Sequence, residues 1–137
     1  MPLGKRVTAD RDGISFVFVK QLAKTDVVTA GADITAAAKG DVLIESIAIQ
    51  NDSNAAGGAT GGVLVVSDDT FALGKSLIAQ GSDLVASEST DVAIGHFLND
   101  GKKLQLKAVT NALTGTGNIL VTIKAKRVVS SNALGAV

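Results

Sequence analysis

Apolar and polar residues alternate with a period of two in several short runs, and nowhere do they settle into a long helical period. Ile14 to Gln21 sets Ile14, Phe16 and Phe18 on one side and Ser15, Val17 and Val19 on the other, which predicts a strand. Half of the four Phe residues fall here, so the run is expected to feed the core. Gly40 to Gln50 behaves differently. Val42, Leu43, Ile44, Ile47, Ala48 and Ile49 occupy both alternating faces, interrupted by Glu45 and Ser46. A strand of that kind is expected to be covered on both sides, by its own core on one and by another subunit on the other. Leu43, Glu45, Ile47 and Ile49 are the expected subunit-interface positions.

Further along, Val63 to Val66 predicts a short buried strand. Val92 to Leu98 predicts another, with Val92, Ile94, His96 and Leu98 on one face. Asn99-Asp100-Gly101 then carries the strongest local hairpin signal in the chain. Its return strand is Lys103 to Val109, with Leu104, Leu106 and Ala108 inward. The clearest amphipathic strand comes last: Ile119, Val121, Ile123 and Ala125 face in, and Thr122, Lys124 and Lys126 face water. Asp26 to Thr29 and Leu84 to Val92 have weaker strand character, and Thr70 to Ala79 reads as irregular. Ala32 to Lys39 fits either one helical turn capped by Asp33 or an extended lead-in.

Between these runs lie Gly-rich loops, Asn51 to Gly62 and Thr110 to Gly117. Residues 1–13 form a basic N-terminal arm closed by the turn Asp10-Arg11-Asp12-Gly13, residues 14–129 one domain, and residues 130–137 a tail. Seven to nine short strands with turns every 8 to 12 residues, and no internal repeat, predict an all-β fold. The expected member of that class is an antiparallel β-sandwich, jelly-roll-like in its winding, with an extended N-terminal arm.

Composition narrows what such a domain can do. The 137 residues include no Cys, Trp or Tyr and a single His. Disulfides and thiolate metal sites are therefore excluded, and the aromatic anchors common at binding surfaces are nearly missing. One His cannot supply the ligand set of a metal-binding β-barrel, and no GxSxG elbow brackets a Ser. His96 reads as a strand residue. Asp68, Asp69, Asp83, Glu88 and Asp91 read as a solvated face rather than a glycosidase pair or a calcium site. The glycines at 57–58 and 61–62 lack the Lys of a phosphate loop. The expectation is no enzyme, no cofactor, no metal and no small-molecule substrate. No apolar run approaches the roughly 20 residues that span a bilayer, so no membrane partner is expected. The first residues lack a signal-peptide middle, so synthesis in the cytoplasm is expected.

Charge is balanced at 13 basic and 13 acidic residues, but it is segregated. Residues 1–24 carry five basic and two acidic residues, residues 25–100 two basic and eleven acidic, and residues 101–137 six basic and none acidic. Opposite segments either pair within one subunit or make a bipolar particle suited to docking. Zero net charge without free aromatics argues against nucleic acid.

In overall plan the chain resembles the small capsid cement or decoration proteins of tailed bacteriophages. The likeness rests on the basic arm (Met1 to Gly13), the strand series (Ile14 to Val129) and Gly-rich loops such as Asn51 to Gly62. The resemblance implies a homotrimer on the outer surface of the virion head, bound to the major capsid protein. On it, the arm residues Leu3, Lys5, Arg6 and Val7 are expected to order on the capsid. A head-fibre base or tail module, and a carbohydrate- or receptor-binding sandwich, are the alternatives; the missing Trp and Tyr count against the last.

Overall fold

A computed structural model describes residues 14–55, 64–67, 72–78, 89–108 and 112–128 of the chain. Eight strands run through them: β1 (Ser15–Ala23), β2 (Ala32–Asp33), β3 (Val42–Asn51), β4 (Leu64–Ser67), β5 (Ala72–Ile78), β6 (Ser89–Leu98), β7 (Gln105–Ala108) and β8 (Asn118–Arg127). They form two four-stranded sheets, ordered β1-β8-β3-β6 and β2-β7-β4-β5, and every pairing is antiparallel. The protein is all-β. Among the described residues the sole helical element is a 3-10 turn, Lys24–Asp26.

The order of pairing follows a rule. β1 pairs with β8, β2 with β7, β3 with β6 and β4 with β5, so the chain is folded on itself once into nested pairs. Successive pairs alternate between the two sheets, and the joins are β8 to β3 in one and β7 to β4 in the other. Ile44, Ile47, Ile49, Ile119, Val121 and Ile123 from the first sheet share one buried cluster with Ile34, Leu104, Leu106 and Ala108 from the second sheet and its lead-in. The alternation expected at Ile119 to Ala125 and at Leu104 to Ala108 holds residue by residue.

The organising strand departs from simple alternation. Along β3 the register against β8 slips between Ile44 and Ser46, so Glu45 is one extra residue. A bulge of this kind flips the side-chain parity on either side of it. Val42, Ile44, Ile47 and Ile49 consequently all turn toward the core, and Leu43, Ser46, Ala48 and Gln50 turn outward. β6 answers with its own extra residues opposite Glu45, where Gly95 adopts a left-handed φ of +62°.

Other segments also differ from the sequence pattern. Asp26 to Thr29 is no strand: the 3-10 turn occupies its start, and Val28 then serves as acceptor for Ala108 N–H at 3.0 Å. Ala32 to Lys39 is the extended lead-in, running beside residues 101–106. Ile34 N–H donates to Leu104 O at 2.9 Å and Ala38 N–H to Lys102 O at 2.8 Å. Thr70 to Ala79 contains a strand, β5 (Ala72–Ile78), held by pairing with β4, and its irregularity persists as two register shifts against that partner. The Asp100-Gly101 turn forms, with Gly101 at φ +85° and Lys102 N–H bonded to Asn99 O at 3.0 Å, but it closes no hairpin. Both edges of β7 are taken by β2 and β4, so the turn carries the chain from one sheet to the other.

Replacing Ile47 by Ala should cost about 2–5 kcal/mol, as for other buried large-to-small changes. Leu43→Ala should cost clearly less. Urea unfolding of the two variants checks this; equal losses would put both residues back on one face.

Candidate functional site

Two places gather side chains in a way the strand pattern alone does not require. The first is a buried lysine. Lys24 follows β1 and is fully buried, at 0 % exposure. Its Nζ donates to Asp52 Oδ1 at 2.7 Å, to Asn54 O at 2.7 Å and to Thr116 O at 2.9 Å, so all three ammonium hydrogens are used. Asp52 is equally committed. Its Oδ1 also accepts Asn54 N–H at 2.9 Å, and its Oδ2 accepts Asn118 N–H at 2.7 Å. Asn51, itself buried, takes Asp52 N–H on Oδ1 and donates through Nδ2 to Asn54 O. The first residues of the Asn51 to Gly62 loop are thus a hydrogen-bonded turn.

This cluster ties the ends of three segments together: the exit of β1, the exit of β3 and the entry to β8. Gly117 belongs to the same arrangement. It has φ +89°, and a methyl group there would overlap Asp52 Oδ2. The ammonium of Lys24, then the Asn118 and Asn54 amides, hold the Asp52 carboxyl well below the usual carboxylate range. A buried amine with every hydrogen bonded has none left for a substrate. The cluster is structural.

The second place is the outward face of the first sheet. Cross-strand partners share a face, so the register fixes its rows: Ser15, Lys126, Leu43 and Phe97; then Val17, Lys124, Ser46 and Ala93; then Val19, Thr122, Ala48 and Asp91. Val17, Val19 and Phe97 are 60 %, 52 % and 53 % exposed. Glu45 reaches over β8, its carboxylate accepting from Ser15 Oγ at 2.7 Å. Val17 and Val19 stand on one edge strand of this face and Phe97 on the other, with Lys124, Lys126, Ser46 and Thr122 among the residues between them.

The residues singled out in the sequence distribute as follows. Leu3, Lys5, Arg6, Val7 and the turn at 10–13 lie outside the described residues. The four interface positions do not come together as a set. Ile47 and Ile49 are fully buried in the chain's own core, a consequence of the bulge, whereas Leu43 and Glu45 stand on the outward side. His96 sits half-buried on the inward row beside Ile44, as its strand pattern implies. Phe16 packs against the core only in part, and Phe18 remains 38 % exposed. Both line an apolar cleft of about 240 Å³ with Ala36, Ala38, Val42 and Leu98. β1 is an edge strand, so the core expected around both rings closes on one side only. Asp91 is exposed on β6; Asp68, Asp69, Asp83 and Glu88 lie outside the described residues. Among the described residues no group of three or more His, Cys, Asp or Glu could hold a metal ion, and no helix is long and apolar enough to cross a membrane. The chain matches no protein-family model and no curated protein sequence.

Lys24 is the site residue that sequence reasoning missed, having been counted only among the basic residues of positions 1–24. The Asn51-Asp52-Ser53-Asn54 run, rich in residues that bond their own backbone, is the signal that could have marked an ordered acceptor in a loop read only as Gly-rich.

Acid should read out this cluster. Asp52 titrates lower in the fold than in the open chain, so its contribution to stability is complete above about pH 4 and is lost as pH falls toward its folded value. Asp33, held low by Gln105 and then Lys103, acts in the same direction from the surface. Unfolding midpoints measured from pH 5 to pH 2 should fall steeply in the wild type. They should fall less steeply in Asp52→Asn, which should also be destabilised at neutral pH.

Proposed function

We propose that this chain is a structural virion protein that binds the outside of an assembled phage head as a homotrimer and stabilises it. The observation that supports this reading best is the winding. Nested pairs 1·8, 2·7, 3·6 and 4·5, alternating between two sheets, are the strand arrangement of an eight-stranded jelly-roll sandwich, a fold used by many viral capsid proteins. We read the two sheets as the layers of that sandwich. The outward face of the first sheet, mixed in polarity with Val17, Val19 and Phe97 exposed on it, adds a surface on which copies can meet.

The physics of the role is simple. A protein that binds the assembled lattice, and not its free subunits, stabilises the lattice by mass action. Joining three copies multiplies weak contacts through effective concentration. In this reading Leu3, Lys5, Arg6 and Val7 of the arm order on the major capsid protein while the sandwiches trimerise. The work is binding rather than catalysis, with no cofactor.

Two measurements test it. The mass of the purified protein by light scattering should be three times that of one chain. The variant lacking Met1 to Asp12 should keep that mass and lose its binding to heads in co-sedimentation. A clean monomer removes the trimer, and full decoration by the truncated protein removes the arm.

A further inference from the structure

The charge segregation of the sequence becomes spatial on the outward face of the first sheet. β1 and β8 are neighbours there, as are β3 and β6, so the face divides into two halves along the β8–β3 seam. The β1–β8 half carries Lys124 and Lys126 and, reaching over β8 from β3, the Glu45 carboxylate at Ser15 Oγ, so two bases outweigh one acid; its other outward positions include Ser15, Val17, Val19, Gln21, Leu120 and Thr122. The β3–β6 half carries Asp91 and no base; its others include Leu43, Ser46, Ala48, Gln50, Ser89, Ala93 and Phe97. Each half presents exposed or half-exposed apolar residues beside its charges: Val17 and Val19 on one, Leu43 and Phe97 on the other.

We infer that this face is where copies of the chain join, the basic β1–β8 half of one docking on the acidic β3–β6 half of the next. The occupant is a second copy because the face is its own complement: net positive charge on the β1–β8 half from Lys124 and Lys126, net negative charge on the β3–β6 half from Asp91, with apolar contacts on both. Two identical halves laid together would oppose like charges and be disfavoured; unlike halves are steered together and held in register. A half-to-half contact uses different patches on the two partners, and such contacts close into rings when the rotation allows. The inference rests on the proposed self-association and is independent of the capsid. It replaces Ile47 and Ile49 in the interface by Val17, Val19 and Phe97, and keeps Leu43 and Glu45.

Charge reversal provides the test. Lys124→Glu with Lys126→Glu makes both halves acidic, and light scattering should then read the mass of a single chain, with the far-ultraviolet dichroism of the fold retained. Asp91→Lys, at an exposed position on β6, should weaken association from the other half. Adding Glu45→Lys and Asp91→Lys to the lysine reversals restores the complement with its signs exchanged, and the original mass should return. If the wild type associates and the folded reversal variants keep its mass, the face is wrong while self-association stands. If the fourfold variant remains a single folded chain, the complementarity is wrong. A wild type that is monomeric at every concentration overturns this inference and the trimer together.

Discussion

One extra residue in β3 decides which side of the molecule is inside. Side chains along a strand alternate strictly, so a single inserted position exchanges the two faces beyond it. Without Glu45 as a bulge, Ile44 and Ile47 would point in opposite directions, and one of them would meet water. With it, four apolar residues of β3 enter the same core and meet Ile123, Val121 and Ala125 from β8. β6 matches the insertion through Gly95, whose left-handed conformation a side chain rarely adopts. The two central strands and one edge strand of the first sheet therefore depend on a local defect for their common inward face.

The strands themselves were legible wherever one face is buried and the other wet. Ile119 to Ala125 and Leu104 to Ala108 show that pattern because each residue's neighbours are set by its own strand. The bulge was not legible, since an apolar run with a polar interruption reads equally as a strand covered on both sides. The fate of Asp100-Gly101 was hidden for another reason. Turn chemistry fixes the local reversal, but which strands pair afterwards depends on edges occupied by residues distant in sequence. Strand β5 was missed because Gly74, Lys75 and Ser76 break the alternation, and its partner lies in β4.

The same limits apply to the sites. A lysine next to a strand end looks like solvent-facing charge in any sequence. Lys24 is buried instead because three oxygens from two distant loops converge on it, Asn54 O and Asp52 on one side and Thr116 O on the other. An ammonium ion withdrawn from water is tolerated only when it is paired and fully hydrogen-bonded. The outward face of the first sheet was half legible. The segregation of charge along the chain was visible, but its meaning required knowing that β1 lies beside β8 and β3 beside β6.

That adjacency of the first and last strands has a consequence for how the molecule is made. Ser15 pairs with Lys126 and Ala23 with Asn118, so β1 finds its partner only after nearly the whole domain has been synthesised. Contacts this distant in sequence make folding slow, because the entropy of closing a long loop is lost before the pairing repays it. Until β8 leaves the ribosome, Phe16, Val17, Phe18 and Val19 form an apolar segment with nothing to pair against. On a polysome, many such segments sit close together, and the nascent chain is most exposed to aggregation in that interval. Yield in a cell would then depend on the time between the emergence of β1 and that of β8, a quantity set by translation speed rather than by the stability of the finished fold.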